Sequence, residues 1–247
     1  MRALGDVISR FDKAAVERIA RDMIDRTQEG TGALLRAVGP AFSGRDHVTL
    51  GALAAGESAA WSRLFNWRTL GTATTAAASA LLALRPDCAP ETRVGLIAAS
   101  LGQAAKRGEP TVFGVACVGA QYASFAWALR DARNDAAGWA LRAGAWAGGI
   151  ALAHSRSERL ATAVAGIPAA ALSALAGDEK LRADKATQGM SHGANLLLAS
   201  EALTVLNPAE QRQDAGLRGR ALDAAQSAAQ TVGLVLLVDG LARKGRG

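Results

Sequence analysis

Glu201 stands inside an otherwise apolar run, residues 189–206, in the wording Gly193-Ala-Asn-Leu-Leu-Leu-Ala-Ser200-Glu201-Ala-Leu. A carboxyl group among apolar residues is costly to charge, and ionisable groups in such places usually serve function. Held in a low-dielectric pocket, a carboxyl can deliver a proton to carbon or guide a water. The structural alternative is a carboxylate that reaches the membrane interface or pairs with Arg68 or Arg142. Gln103, Tyr122, Asn195, Ser200, Gln226 and Gln230 are further polar residues in apolar surroundings. They suit either the lining of a polar pocket or hydrogen bonds that join helices. Asp239, close to the basic end of the last apolar run, reads as an interfacial group. Arg142 reads as a structural partner for a carboxylate.

Other chemistries find no support in the residues. Cys88 and Cys117 are isolated, with no Cys-x-x-Cys and no His/Cys cluster, and Cys117 reads as a packed small hydrophobe. His47, His154 and His192 are widely separated, and no His-Glu-x-x-His stands among them. There is no phosphate-binding Gly-rich loop after a strand. Neither a metal nor an organic cofactor is expected. The segment Asp131-Ala-Arg-Asn-Asp135 lacks paired aspartates that would chelate magnesium, and reads as a polar loop. The net charge of +6 and pI near 10.0 raise the question of nucleic acid. The Lys and Arg are spread through nearly every loop without a basic-aromatic cluster, so nucleic acid is not expected as a partner.

The elements that must position these groups are about seven Ala-rich apolar stretches: residues 70–84, 94–105, 112–129, 136–153, 160–177, 189–206 and 222–241. A bilayer core needs roughly 20 apolar residues at 1.5 Å rise each. Residues 112–129 and 160–177 carry no charge and are fair spanning candidates. Half of the chain is hydrophobic, and the runs lack the polar stripe of a water-facing helix. Against this, 20% of residues are charged and only 4% aromatic, so any interfacial belt is thin. The same stretches suit a soluble bundle of Ala-rich helices. The expected fold is all-α: a polytopic membrane bundle of seven to eight spans, the count turning on whether residues 48–60 form an extra, weak first span.

Two parts are expected, residues 1–46 and 47–247. In the first, Val7, Ile8, Phe11, Ala15, Ile19 and Met23 recur near helical spacing, with Arg10, Lys13, Arg18, Arg21 and Arg26 on the other faces. This is an amphipathic helix for an anionic membrane surface, or one docked by its apolar stripe. Gly30, Gly32, Gly39-Pro40 and Ser43-Gly44 suggest a loop-rich joint. No signal peptide is expected, and the distribution of Lys and Arg places the amino terminus in the cytoplasm. Gly144-Ala-Trp-Ala-Gly148 and Gly189-Met-Ser-His-Gly193 have the spacing that lets helix backbones approach, and Pro168 should kink its helix.

The order and wording of the stretches carry a resemblance. Trp61-Ser-Arg-Leu-Phe-Asn-Trp-Arg68-Thr-Leu70 leads into the first clear run, followed by Gly95-Leu-Ile-Ala-Ala-Ser-Leu-Gly102-Gln103. Then come Phe113-Gly114 with Tyr122 and Phe125, the Glu201 segment, and Gln226-Ser-Ala-Ala-Gln230. Across about residues 61 to 243 the series resembles the YhhN-like family of polytopic membrane proteins, to which the lysoplasmalogenases belong. The resemblance implies a bundle of about eight spans in the plasma (bacterial inner) membrane and a lysophospholipid substrate drawn from the lipid. The implied reaction is hydrolysis of a vinyl ether to a fatty aldehyde and a glycerophospho-headgroup. It implies Glu201 as the acid/base group, with Gln103, Tyr122, Asn195, Ser200, Gln226, Gln230 and Arg68 about the pocket. The chain departs from the family pattern at five places. Gln103 stands where an acid is usual, Glu201 replaces the aspartate of a Ser-Asp motif, Arg68-Thr69-Leu70 replaces Lys-Pro-Leu, Tyr122 and Phe125 stand for a His and a Tyr, and Gln226 replaces a tyrosine. A catalytically inactive lipid-binding relative is the alternative.

Overall fold

The computed structural model describes residues 13–105, 111–207 and 216–246, and among them the fold is entirely helical. The ten helices are α1 (Lys13–Phe42), α2 (His47–Leu64), α3 (Arg68–Ala83), α4 (Pro90–Ala105), α5 (Val112–Ala128), α6 (Ala136–Leu152), α7 (Arg156–Leu175), α8 (Glu179–Ala183), α9 (Gly189–Leu206) and α10 (Leu217–Lys244). Each of the seven apolar stretches is a helix, and residues 48–60 lie within α2. Side-chain caps fix several starts. Asp46 accepts from Thr49 N, Thr111 from Gly114 N, and Asp135 from Gly138 N. Such a cap satisfies an amide that has no partner inside its own helix.

The amino-terminal joint is shorter than the glycines suggest. α1 runs unbroken through Gly30, Gly32, Gly39 and Pro40, and only residues 43–46 form the turn. A glycine inside a helix costs about 1 kcal/mol relative to alanine, and burial of Ala33, Ala37, Val38 and Ala41 offsets this. These four lie on one face of the second half of the helix. Met23, placed on the apolar stripe by sequence, is 65% exposed because the docked face begins only at Ala33. Val7, Ile8, Arg10 and Phe11 lie outside the described residues.

Helix neighbours close a ring in the order α2, α3, α4, α5, α7, α9, α10, with α10 returning to α2. α6 lies outside it against α7, and α1 lies on α2, α9 and α10. Short connections make successive helices antiparallel. The core holds Leu82, Leu96, Phe125, Leu172, Met190, Leu197, Leu234 and Leu237, all buried. One end is clamped by Arg85, in the connection between α3 and α4. Its guanidinium donates to both oxygens of Asp87 at 3.0 and 2.9 Å and to Thr49 Oγ1 at 3.1 Å. It also approaches Asp46 at 3.5 Å and Asp239 at 4.0 Å. Burial opposes its charge, but these carboxylates outweigh burial and leave it raised above the usual arginine value. Asp239 is held in turn by Arg243 at 2.8 Å, an ion-paired place at the helix end in keeping with its position near the basic terminus.

One described helix, Leu217–Lys244, is long and apolar enough to cross a membrane, and 56% of its most apolar window is buried. α5 is apolar but shorter. The seven-to-eight-span count is therefore a narrower statement than the helical architecture. α6 has no buried residue although it is apolar apart from Arg142.

Candidate functional site: the cavity beside Glu201

The single tyrosine of the chain meets the acid that sequence singled out. Tyr122 projects from α5, fully buried, and its hydroxyl donates to Glu201 Oε1 on α9 at 2.9 Å. Ser200 next to it is spent locally, its hydroxyl donating to Leu197 O at 2.8 Å. Glu201 is partly buried and lines a cavity of about 200 Å³ between α5, α6, α7 and α9. That volume lies below the usual range for drug-sized ligands.

The walls are mostly small and apolar. α7 supplies Ala161, Ala165, Gly166 and Ala169, and α5 supplies Gly114, Val115 and Val118. Small side chains at successive turns leave the space, since neighbouring helices cannot close further on them. Trp146 of α6 forms another wall. Its ring lies over Gly166, where a Cβ would stand 2.6 Å from Trp146 Cδ1. Its indole N–H donates to Thr162 O at 3.2 Å and Ala163 O at 3.3 Å. Pro168, inside α7, lacks the amide that Val164 O would use, yet the helix runs unbroken from Arg156 to Leu175.

A second carboxylate lines the cavity that sequence reasoning did not pick out. Glu158, in the first turn of α7, accepts from His154 N at 3.1 Å and Ser155 N at 3.2 Å, both on Oε2. Ser155 Oγ accepts from Glu158 N in return, a reciprocal capping box. The pattern Ser155-x-x-Glu158 was a readable helix-start signal, but nothing in it says that the acid faces a cavity. Thr111, Thr162 and Thr204 add the remaining polar wall.

The other expected pocket residues are placed elsewhere. Gln103 is buried and donates to Gln230 Oε1 at 2.9 Å, and Gln226 donates to the same oxygen at 3.4 Å. These three join α4 to α10 and do not line the cavity. Asn195 accepts from Ser173 Oγ at 2.7 Å, and Arg142 donates to the same hydroxyl at 3.3 Å, linking α6, α7 and α9. Arg142 thus finds a hydroxyl in place of the expected carboxylate, because Ser173 is what α7 presents to it. Arg68 donates to Asn66 Oδ1 at 3.0 Å in the turn before α3, away from the cavity. Cys88 and Cys117 are free and buried, and burial raises the Cys88 thiol above its ordinary value. Among the described residues no group of His, Cys, Asp and Glu is arranged to hold a metal ion. No family model matches the chain, and neither the curated proteins nor the solved structures contain a match to it.

Proposed function

We propose that this chain is a membrane-embedded helical bundle of YhhN type that draws an amphiphile of the lysophospholipid class into the cavity beside Glu201 and hydrolyses its vinyl ether. The carrying observation is Glu201 itself, bonded to the only tyrosine and opening on a largely apolar cavity. Vinyl ether hydrolysis begins with proton transfer to carbon. A carboxyl beside apolar walls suits that step, because bulk water does not compete for the proton. Tyr122 holds the carboxyl in one orientation.

The tryptophans support the membrane part. Trp61 and Trp67 are 52% and 59% exposed at the α2–α3 end, with Phe65 between them, stacked on Trp61 and tilted against Trp67. Trp127 and Trp139 are 63% and 41% exposed where α5 gives way to α6, at the opposite end of the antiparallel bundle. Aromatic residues at both rims with apolar side chains between them are the pattern of a lipid-facing surface. α1, with Arg18, Arg21 and Arg26, lies toward the Arg85 end. Excess basic charge there favours that end as cytoplasmic.

The test is aldehyde release from lysoplasmalogen by the full chain in nanodiscs, beside Glu201→Gln. Wild-type turnover falling at least about 100-fold in the variant is expected. Equal release from both would remove the catalytic role. Recovery of the protein in a detergent-free supernatant after fractionation would remove the membrane part. One observation favours a second reading, a binding protein without activity. Gln103, where the resembling family carries an acid, is sealed against Gln230. Lysolipid binding without aldehyde release would be its signature.

A further inference from the structure

Hydrolysis of a vinyl ether needs two proton transfers on different atoms. One group protonates carbon, and another takes a proton from the attacking water. The family's first acidic position is Gln103, which cannot carry a proton at useful pH and whose amide is spent on Gln230. The cavity nevertheless holds two carboxyl groups, from separate helices. Glu201 lies five residues from the end of α9 and so about 7.5 Å inside it. Glu158 lies in the first turn of α7 and lines the same cavity. Both backbone donors to Glu158 use Oε2, and among the described residues none bonds to Oε1. Glu201 is instead bonded to a phenol. The two carboxyls therefore meet the cavity in different settings, one capped by amides at a helix start and the other inside the bundle. Such a difference separates acid from base in paired-carboxyl sites.

We propose that Glu158 is the second catalytic carboxylate of the cavity, acting as general base where Gln103 cannot; this rests on the hydrolytic reading of Glu201. Glu201 gives its proton to the vinyl carbon remote from the ether oxygen, leaving an oxocarbenium ion at the neighbouring carbon. Water adds to that carbon while its proton passes to Glu158, forming a hemiacetal. In the collapse, the proton on Glu158 moves to the ether oxygen as its bond to carbon breaks. The hemiacetal hydroxyl returns its proton to Glu201. One water is consumed, an aldehyde and an alcohol leave, and both carboxyls return to their starting states. Leu198, Val118 and Ala169 share the cavity with the two carboxyls and offer the apolar wall that an alkenyl chain would need.

Glu158→Gln is an informative variant because glutamine also completes a capping box. It removes the base and keeps an acceptor for His154 N and Ser155 N. Kinetics on lysoplasmalogen with a choline headgroup would be measured for the full chain in nanodiscs from pH 4 to 9. The expected result is kcat lowered about 100-fold, KM within about threefold, unchanged melting temperature, and loss of the acidic limb of the pH profile. Glu158→Ala should lower the melting temperature as well, since it removes the cap. Wild-type kcat and profile in Glu158→Gln, with Glu201→Gln still inactive, would overturn the role of Glu158 and leave that of Glu201 standing. Activity lost in step with melting temperature, with an unchanged profile shape, would also overturn it. No aldehyde from the wild type would end both.

Discussion

Gly193 offers the sharpest structural perturbation, because it sits where α9 and α10 come closest and α9 carries Glu201. A Cβ built there would stand 2.7 Å from both Gly233 O and Leu237 N, which are backbone atoms that no rotamer change can move. Ordinary contact begins near 3.4 Å, so Gly193→Ala must part the two helices by about 0.7 Å. A gap of that size forfeits about a quarter to a half of each dispersion contact it opens. α10 has little room to withdraw, since Thr231 on its other flank already fills the space over Gly56. Overpacking of this kind costs about 1–3 kcal/mol. With backbone on both sides the upper part of the range applies, or about 5–10 °C in Tm for a chain of this size. The control is Gly148→Ala on α6, where nothing lies within 4 Å. The same added methyl should there be neutral or stabilise by about 0.5–1 kcal/mol. Thermal unfolding followed by circular dichroism in detergent reads both. A Tm for Gly193→Ala within 1 °C of wild type, or equal shifts for the two variants, would refute the close-approach argument.

Gln230→Leu should cost about 2–4 kcal/mol, because it strands the amides of Gln103 and Gln226 in the core. The double variant Gln103→Leu/Gln230→Leu should recover much of that loss, and a denaturant titration showing it less stable than Gln230→Leu alone would contradict the pairing. Stability should also fall as pH drops below about 4. The Arg85 hydrogen bond lowers the Asp87 carboxyl below its ordinary value despite burial, with Arg246 helping. For Asp178 burial acts upward, but amides of Arg133, Lys180 and Leu181 prevail and lower it. Stabilisation from a lowered carboxyl is full above its unfolded value and disappears as pH falls through its folded one. Tm measured between pH 7 and 3 should therefore drop at the acid end, and Asp87→Asn should flatten the drop.

The helices were legible because apolar runs with charged or capping flanks mark their ends. Residues 189–206 were bounded by sequence as the structure bounds α9, and 112–129 and 136–153 overran theirs by one residue each. Their partners were less legible, since a helix hydrophobic all round does not say which side meets which neighbour. Two small-residue motifs of equal spacing had different fates. Gly193 lies against the α10 backbone, whereas Gly144 and Gly148 face open space. Glu201 stood out as the only acid of its run. Glu158 did not, because its local duty as a cap explained it fully, and only the fold shows that α7 turns it toward α9. Gln103 and Gln230 were expected about the pocket, but they pair with each other across helices, and such pairing depends on ring closure, which no local pattern encodes.

α6 connects the cavity to the question of solvent. The helix rests on α7 outside the ring, has no buried residue, and exposes Trp139, Leu141 and Leu152 by 41%, 68% and 59%. Scattered exposed leucines are ordinary on soluble proteins, but a whole apolar helix is not. Each such side chain left in water forgoes about 1.5–3 kcal/mol of available burial. Summed over α6 this rivals the 5–15 kcal/mol by which a typical domain is stable. A bilayer removes that penalty at every exposed position of the helix together. Trp146, half-buried, reaches back from α6 to the Thr162 and Ala163 carbonyls and seats against Gly166. The exposed apolar helix is thus joined to the cavity wall through the indole. If the bundle is membrane-embedded as proposed, lipid would solvate α6, and the cavity around Glu201 would be reached from the phase that holds an amphiphile.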